Sequence, residues 1–138
     1  MTSLTYVSSA TQSFTNRDLV ALLAQCRESN ARNGITGMLL YKDGNFMQTL
    51  EGPPAVLKRR FLAIRHDFRH DGVVTLAEQV YEARLFSDWS MAFWNLNTID
   101  PDNVPGYADF ADIPLIAPEF KSDPARALEL MLVLRNSL

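Results

Sequence analysis

The stretch from Ile35 to Leu50, ITGMLLYKDGNFMQTL, predicts a β-hairpin around which the rest of the fold can be placed. Two apolar runs flank Asp43-Gly44, a dipeptide that favours a type I′ turn because both residues tolerate positive φ. Pairing the strands about this turn places the following side chains on one face: Ile35, Leu39, Tyr41, Phe46, Gln48 and Leu50. Gln48 is the only amide among them, and each buried polar group left unpaired costs about 1–3 kcal/mol. A polar partner, from the protein or from a ligand, is therefore expected at this face.

The residues before the hairpin predict a strand and a helix. Residues 3–8 predict a strand, with Leu4, Tyr6 and Ser8 on one face and Thr5 and Val7 on the other. Thr15 and Asp18 have the spacing of a capping box, and Asn33-Gly34 is a common C-terminal stop signal, so a helix is expected between them. Its apolar stripe consists of Leu19, Leu22, Leu23 and Cys26.

The residues after the hairpin complete an alternating order of strands and helices. Gly52-Pro53-Pro54 begins a second helix, which is expected to end near Asp71-Gly72. Its apolar stripe consists of Leu57, Phe61, Ile64 and Phe68, and its other faces carry Lys58, Arg59, Arg60 and Arg65. Residues 73–77 predict a fourth strand and residues 89–96 a fifth. This order predicts an α+β, ferredoxin-like β-α-β-β-α-β-β sheet with two helices on one face.

The second face of the sheet needs a cover from the C-terminal residues. Met38, Leu40 and Met47 point to that face and are apolar, whereas the two helices can cover only the other face. Residues 98–120 are rich in proline and predict a mostly irregular, extended connector, and Ser122-Asp123-Pro124 predicts the start of a last helix. We expect this C-terminal helical segment to pack on the second face, with a dimerisation helix as the alternative. The chain then divides into residues 1–97, a sheet domain, and residues 98–138, the connector and helix.

Composition limits the partners and the cellular location. The chain has 138 residues, enough for one domain, and a net charge of −3, which argues against nucleic acid as a partner. The single cysteine, Cys26, excludes an intramolecular disulfide and is compatible with a reducing cytoplasm. No secretory leader and no membrane span are evident. A cytoplasmic protein without membrane or nucleic-acid partners is expected.

Two groups of polar residues near the end of the second helix could carry chemistry. His66 and His70 have an i, i+4 spacing that can bind a metal, but no further ligand cluster accompanies them, and we predict no metal site. A second group of charged side chains consists of Arg65, Asp67, Arg69 and His70. This group could be a solvated helix end or an anion site of the phosphate type, and its spacing alone favours neither.

Five separated pieces of the chain together resemble the BLUF family of blue-light sensors that use a flavin. These pieces are Tyr6 on the first strand, Asn30 before Ile35-Thr36-Gly37, Phe46-Met47-Gln48 leading into Leu50-Glu51-Gly52, Asp67 with Arg69-His70, and Phe86 with Trp89-x-Met91. The resemblance extends over residues 3–96. It implies a short, stand-alone sensor without an attached effector domain.

The resemblance also implies a cofactor, FAD or FMN, inserted between the two helices. Leu22 and Ile64 would flank its ring, Asn30 would bind the pyrimidine carbonyl edge, and Gln48, itself bonded to Tyr6, would meet N5 and O4. The remaining cofactor-binding residues implied are Ile35 near the ring, and Arg65, Asp67, Arg69 and His70 at the ribityl chain and phosphate. Ser29 departs from the larger histidine or asparagine often seen beside Asn30.

The function implied by the resemblance is a light-driven switch rather than an enzyme. Light would drive electron and proton transfer from Tyr6 and a rearrangement of the Gln48 hydrogen bonds, giving a red-shifted signalling state. Trp89 and Met91 on the fifth strand would relay the change to the C-terminal segment. The output would be light-dependent binding of a downstream effector protein, and a homo-oligomer is expected.

Two other classes of function remain open at this point. A small phosphate-ester or acyl-phosphate hydrolase could use Arg69 and Asn30 on the same scaffold, and it would be colourless and show turnover. A ligand-free interaction module would show neither colour nor turnover.

Overall fold

A computed structural model describes all 138 residues as a five-stranded sheet between two layers of helices. The strands are β1 (Thr2–Ala10), β2 (Thr36–Lys42), β3 (Asn45–Gly52), β4 (His70–Val80) and β5 (Ala92–Asn95). The helices are α1 (Asn16–Asn33), α2 (Pro54–Arg65), α3 (Pro118–Ser122) and α4 (Pro124–Arg135). The strand order is β4-β1-β3-β2-β5, with β5 parallel to β2 and all other neighbours antiparallel. This order confirms the predicted ferredoxin-like fold with one added strand.

The hairpin and the first helix follow the predicted local signals. Asp43 and Gly44 have φ values of 50° and 79°, as a type I′ turn requires, and the resulting register pairs Gln48 with Leu39. Thr15 and Asp18 form the reciprocal capping box at the start of α1, and Gly34 ends the helix with a φ of 68°.

The sheet separates two hydrophobic cores. One core lies between the sheet and the pair α1 and α2. The other lies between the sheet and the C-terminal residues, where Met38, Leu40 and Met47 are fully buried. The side chains of α4 that complete this second core are Ala127, Leu130, Met131 and Leu134. The prediction that the last helix covers the second face is therefore confirmed.

Side chains of the sheet hold the C-terminal residues in place through backbone carbonyls. Lys42 donates from Nζ to the carbonyl oxygen of Ala111 at 2.5 Å. On β5, the indole N–H of Trp94 donates to the carbonyl oxygen of Leu134 at 3.2 Å, which connects the strand directly to α4.

The second helix is shorter than predicted. It ends at Arg65, so Phe68 is not part of its apolar stripe and is instead 83% exposed. His70 already belongs to β4, where it pairs with Ala10 of β1, and it does not share a helix face with His66. Pairing of β4 along the full length of β1 competes with continuation of the helix, and that long-range pairing is invisible to a local pattern. No group of three metal-ligating side chains is present.

The fifth strand and the connector also differ from the prediction. The strand covers only Ala92–Asn95, so Trp89 and Met91 precede it. The connector is not extended but contains 3₁₀ turns at Pro101–Asn103 and Tyr107–Asp109, and then α3. Pro101, Pro118 and Pro124 each occupy the first turn of a helical element, where a missing N–H costs nothing. None of the helices combines the length and apolar character required to cross a membrane.

Candidate functional site

A cleft of about 330 Å³ opens between α1 and α2, above the sheet. Its apolar lining consists of Phe14, Leu22, Leu39, Phe46, Ala63 and Ile64, and its polar floor consists of Tyr6 and Gln48. Gln25, Glu28, Arg32, Asp67 and Arg69 also line it. A cleft of this size that combines apolar walls with inward polar groups is typical of a small-molecule site.

Tyr6 and Gln48 face each other across neighbouring strands at the floor of the cleft. They are register partners on β1 and β3, and the Tyr6 hydroxyl donates to Gln48 Oε1 at 2.5 Å. Gln48 is only 3% exposed, and its Nε2 donates to the sulfur of Met91 at 3.4 Å. A thioether is a weak acceptor, and the amide nitrogen carries two hydrogens, so Gln48 retains hydrogen-bonding capacity for a ligand.

Burial favours the neutral form of the Tyr6 phenol further. Desolvation raises the pKa of Tyr6 above its ordinary value near 10, and the nearby charge of Arg60 only partly opposes this rise. The phenol therefore holds its proton at physiological pH, directly against the carbonyl end of an amide.

Asn30 is fully buried and only half satisfied. Its Nδ2 donates to the carbonyl oxygen of Ser90 at 3.0 Å, while its Oδ1 has no hydrogen-bond partner. The only other buried side-chain nitrogen or oxygen without a partner is Nε of Arg60, which lines the cleft. Asn30 is buried outside the cleft lining, beside the lining residue Ser29, whereas the unpaired Nε of Arg60 belongs to a residue that lines the cleft. Unpaired buried polar atoms are costly, so this donor fits a ligand that carries an acceptor.

The charged group at the end of α2 is only partly assembled at the cleft. Arg69 binds Asp67 through Nε and Nη2, and these hydrogen bonds lower the pKa of the Asp67 carboxyl. The His70 ring nitrogens contact Ser8 Oγ and the carbonyl oxygen of Ile64. Asp67, Arg69 and His70 thus lie together on the cleft, but mostly paired within the protein.

Arg65 and Ile35 do not line the cleft. Arg65 is exposed, and its guanidinium lies 5.7 Å from the centre of the Phe61 ring. Helix geometry explains this position, because residue 65 follows Ile64 by about 100° and so turns away from α1. Ile35 is buried in the core below α1 and α2.

Met91 and Trp89 lie on opposite sides of the sheet. Met91 is buried in the core on the side of the cleft and contacts Gln48, whereas Trp89 packs against the C-terminal core. Because a bend at Ser90 precedes β5, the alternation of a strand does not apply to these residues. The structure brings Met91, and not Trp89, to the site.

The first helix also holds the segment that carries Met91. Arg27 Nε donates to the carbonyl oxygen of Met91 at 2.9 Å, one turn from the bond between Asn30 and Ser90. Sequence reasoning missed Arg27 and placed Arg60 on an outer face. The helical spacing does predict Arg60 at the cleft, because it precedes Ile64 by one turn and therefore lies on the same side of α2.

Comparisons with known proteins agree with this geometry. The family model "BLUF: Sensors of blue-light using FAD" matches residues 1–92. The photoactivated adenylate cyclase subunit beta of Euglena longa is 40% identical over 113 residues, which are 82% of this chain and 13% of that protein. The chain thus spans about an eighth of the length of this curated relative.

Solved structures show the same similarity. The dark-state structure of BlrB, a BLUF protein, is 31% identical with a TM-score of 0.80, and the match covers 99% of this chain and 96% of that one. Klebsiella pneumoniae BlrP1 with FMN and cyclic diGMP is 29% identical with a TM-score of 0.69, covering 91% of this chain and 35% of that one.

Proposed function

Because the chain belongs to the BLUF family of blue-light sensors that use FAD, we propose that it switches a protein–protein contact in response to light. The observation that carries this proposal is the hydrogen-bonded series Tyr6, Gln48 and Met91 on the floor of the cleft. A bound flavin supplies a blue-absorbing chromophore that becomes a strong oxidant on excitation. The family name supports FAD as the cofactor, and the structure of BlrP1 with FMN makes FMN the second candidate.

The residues that would hold the flavin lie around the cleft in separate roles. Leu22 and Ile64 face each other from α1 and α2 and would enclose the ring. Asn30, next to the lining residue Ser29, has an unpaired acceptor, and Gln48 has one spare amide hydrogen. The positions of Asp67, Arg69 and His70 suit the ribityl end. Arg65, which is exposed and directed away from α1, is withdrawn from this set.

The photochemical role of Tyr6 follows from its hydrogen bond. Loss of an electron makes a phenol far more acidic, and the acceptor already in place for its proton is Gln48 Oε1. A primary amide has donor and acceptor ends of nearly equal shape, so Gln48 can return in a rotated or tautomeric form after the electron and proton return. No net reaction occurs in such a cycle, and the protein acts as a switch and not as a catalyst.

The Gln48 rearrangement would reach the C-terminal residues through Met91. Rotation of the amide places its oxygen where Nε2 now donates to the Met91 sulfur, and a change of about 1 kcal/mol can bias a two-state segment. The segment continues into β5, where Trp94 is bonded to Leu134 of α4. Residues 1–97 would then form the sensor domain and residues 98–138 the output segment.

Met91→Ala is expected to retain the light-induced absorption shift and to lose the light-dependent change in α4. The alanine leaves the Tyr6–Gln48 pair intact but removes the sulfur that Gln48 contacts. Hydrogen exchange of the amides of Pro124–Arg135, compared in light and darkness, measures the effect. Leu62→Ala serves as the control, because Leu62 is a half-exposed residue of α2 that belongs to neither core. If Met91→Ala preserves both the shift and the light-dependent exchange, Met91 is not the relay.

The partner is proposed by chemistry and by similarity. The Euglena longa relative is a photoactivated adenylate cyclase subunit. For this chain we propose only that it controls an effector protein in a light-dependent way. Leu128, Leu132 and Val133 of α4 are partly exposed and could also support a homo-oligomer. The buried, unpaired Cys26 is compatible with a cytoplasmic location.

The test of the proposed function is the colour of the protein. Purified protein loaded with FAD or FMN is expected to be yellow, and blue light should shift its absorption reversibly to the red. Folded protein that binds neither flavin would overturn the proposal. The hydrolase alternative is not supported, since Arg69 is committed to Asp67 and Gln25, and Asn30 to Ser90.

A further inference from the structure

Arg60 has an unusual environment for a helix surface arginine. It lines the cleft, and its Nε is buried without any hydrogen-bond partner. An unpaired donor on a permanently charged group is costly to bury, because the guanidinium cannot lose its charge in a protein. Asp67, the acidic side chain that lines the cleft near it, is already bound to Arg69, and no salt bridge to Arg60 is formed.

The charge of Arg60 reaches the interior of the cleft. Burial raises the pKa of the Cys26 thiol, and Arg60 is the group that most opposes this rise. Arg60 also opposes the burial-driven rise in the pKa of Tyr6. Arg60, Cys26 and Tyr6 all line the cleft, so the charge of Arg60 acts on groups that a ligand there would meet.

Arg60 lies on the side of Leu22 and Ile64 that is nearer the end of α1. Helices α1 and α2 run antiparallel, since Gly34 at the end of α1 lies beside Gly52, just before α2. Arg60 precedes Ile64 by one turn of α2, and Cys26 follows Leu22 by one turn of α1, so both lie on this side. Arg69 reaches the same side from beyond Ile64, because its Nη1 donates to Gln25 Oε1 at 3.0 Å. The Nε–H of Arg60 is therefore an unpaired donor of the cleft for a ligand held between Leu22 and Ile64.

We propose that Arg60 is a flavin-binding residue, whose Nε–H donates to a carbonyl oxygen of the isoalloxazine ring. The carbonyl oxygens of the ring are acceptors of the kind that an unpaired guanidinium N–H requires. This inference rests on the proposed function, because it requires a flavin in the cleft. It assigns Arg60 to the ring and not to a phosphate.

The test compares FMN with riboflavin, which has the same ring and no phosphate. Arg60→Met is expected to weaken binding of both flavins by about tenfold, the range of one charge-assisted hydrogen bond. Fluorescence quenching on titration of apoprotein measures the two dissociation constants. Arg59→Met is the matched control, because Arg59 is exposed on the same helix and should leave both constants unchanged.

A second measurement separates ligand binding from a structural role. Without flavin, Arg60→Met removes a buried unpaired donor, so the apoprotein is expected to melt at the same or a higher temperature than wild type. With flavin, the variant should gain less thermal stability than wild type. Arg60→Lys, which keeps the charge but lacks the Nε–H, is expected to remain weaker than wild type for both flavins.

The outcomes divide clearly. A loss of FMN affinity with unchanged riboflavin affinity would assign Arg60 to the phosphate and overturn the proposal. Unchanged affinity for both flavins in Arg60→Met would overturn it as well, and the wild-type protein would still stand as a flavin sensor. Failure of wild type itself to bind either flavin would instead refute the proposed function.

Discussion

Tyr6→Phe is expected to abolish the light-induced red shift while the protein still binds flavin and stays yellow. Phenylalanine fills the same space in the core but has no phenolic proton and cannot readily give up an electron. The loss leaves Gln48 Oε1 without its donor, so a stability decrease of only about 1 kcal/mol is expected. Absorption spectra in darkness and during blue illumination measure the effect.

The control for this experiment is Tyr41→Phe. Tyr41 is buried in the same core and packs against Phe46, but its hydroxyl forms no hydrogen bond within the protein. This variant is expected to shift normally, which would show that loss of a tyrosine hydroxyl from this core is not sufficient. A normal shift in Tyr6→Phe would refute the role of Tyr6 as the source of the electron and proton.

Glu51→Ala is expected to cause the largest loss of stability among the substitutions considered. Glu51 is 1% exposed, and its carboxylate accepts the backbone N–H groups of Phe86 at 2.7 Å and Leu85 at 2.9 Å. It also accepts the hydroxyl of Thr36 at 2.8 Å. Alanine leaves these donors unpaired, and a decrease of about 3 kcal/mol or more in the free energy of unfolding follows.

Urea unfolding followed by circular dichroism measures this loss. Glu51→Gln keeps one oxygen acceptor and should be intermediate, because its NH₂ end faces one of the same donors. Glu119→Ala, at an exposed acidic residue of α3, sets the baseline and should change stability little. A decrease below about 1 kcal/mol for Glu51→Ala would contradict the importance assigned to these hydrogen bonds.

The features that the sequence predicted correctly are those with local causes. The positive φ of Asp43 and Gly44 and the capping box of Thr15 and Asp18 depend only on neighbouring residues. The end of α2 was predicted wrongly because it depends on pairing of His70 with Ala10, which are 60 positions apart in the chain. Local propensity could not decide between that pairing and another turn of helix.

The candidate site likewise combines features with local causes and features that depend on distant contacts. The facing positions of Tyr6 and Gln48 follow from alternation along two strands and from the turn between β2 and β3. The separation of Met91 from Trp89 could not be foreseen, because it results from a bend at Ser90 that side chains of α1 hold in place. The lack of a partner for Arg60 Nε depends on the positions of all neighbouring side chains, which a sequence pattern does not give.

The five-stranded sheet also has a consequence for engineering. The core beside the cleft and the core beneath α4 share no apolar side chains. On the proposed function, a signal would have a path at each sheet margin, through Trp94 and Leu134 beside β5 and through Lys121, which donates to the carbonyl oxygen of Thr75 on β4. Substitutions in the two cores would accordingly alter colour and downstream specificity separately.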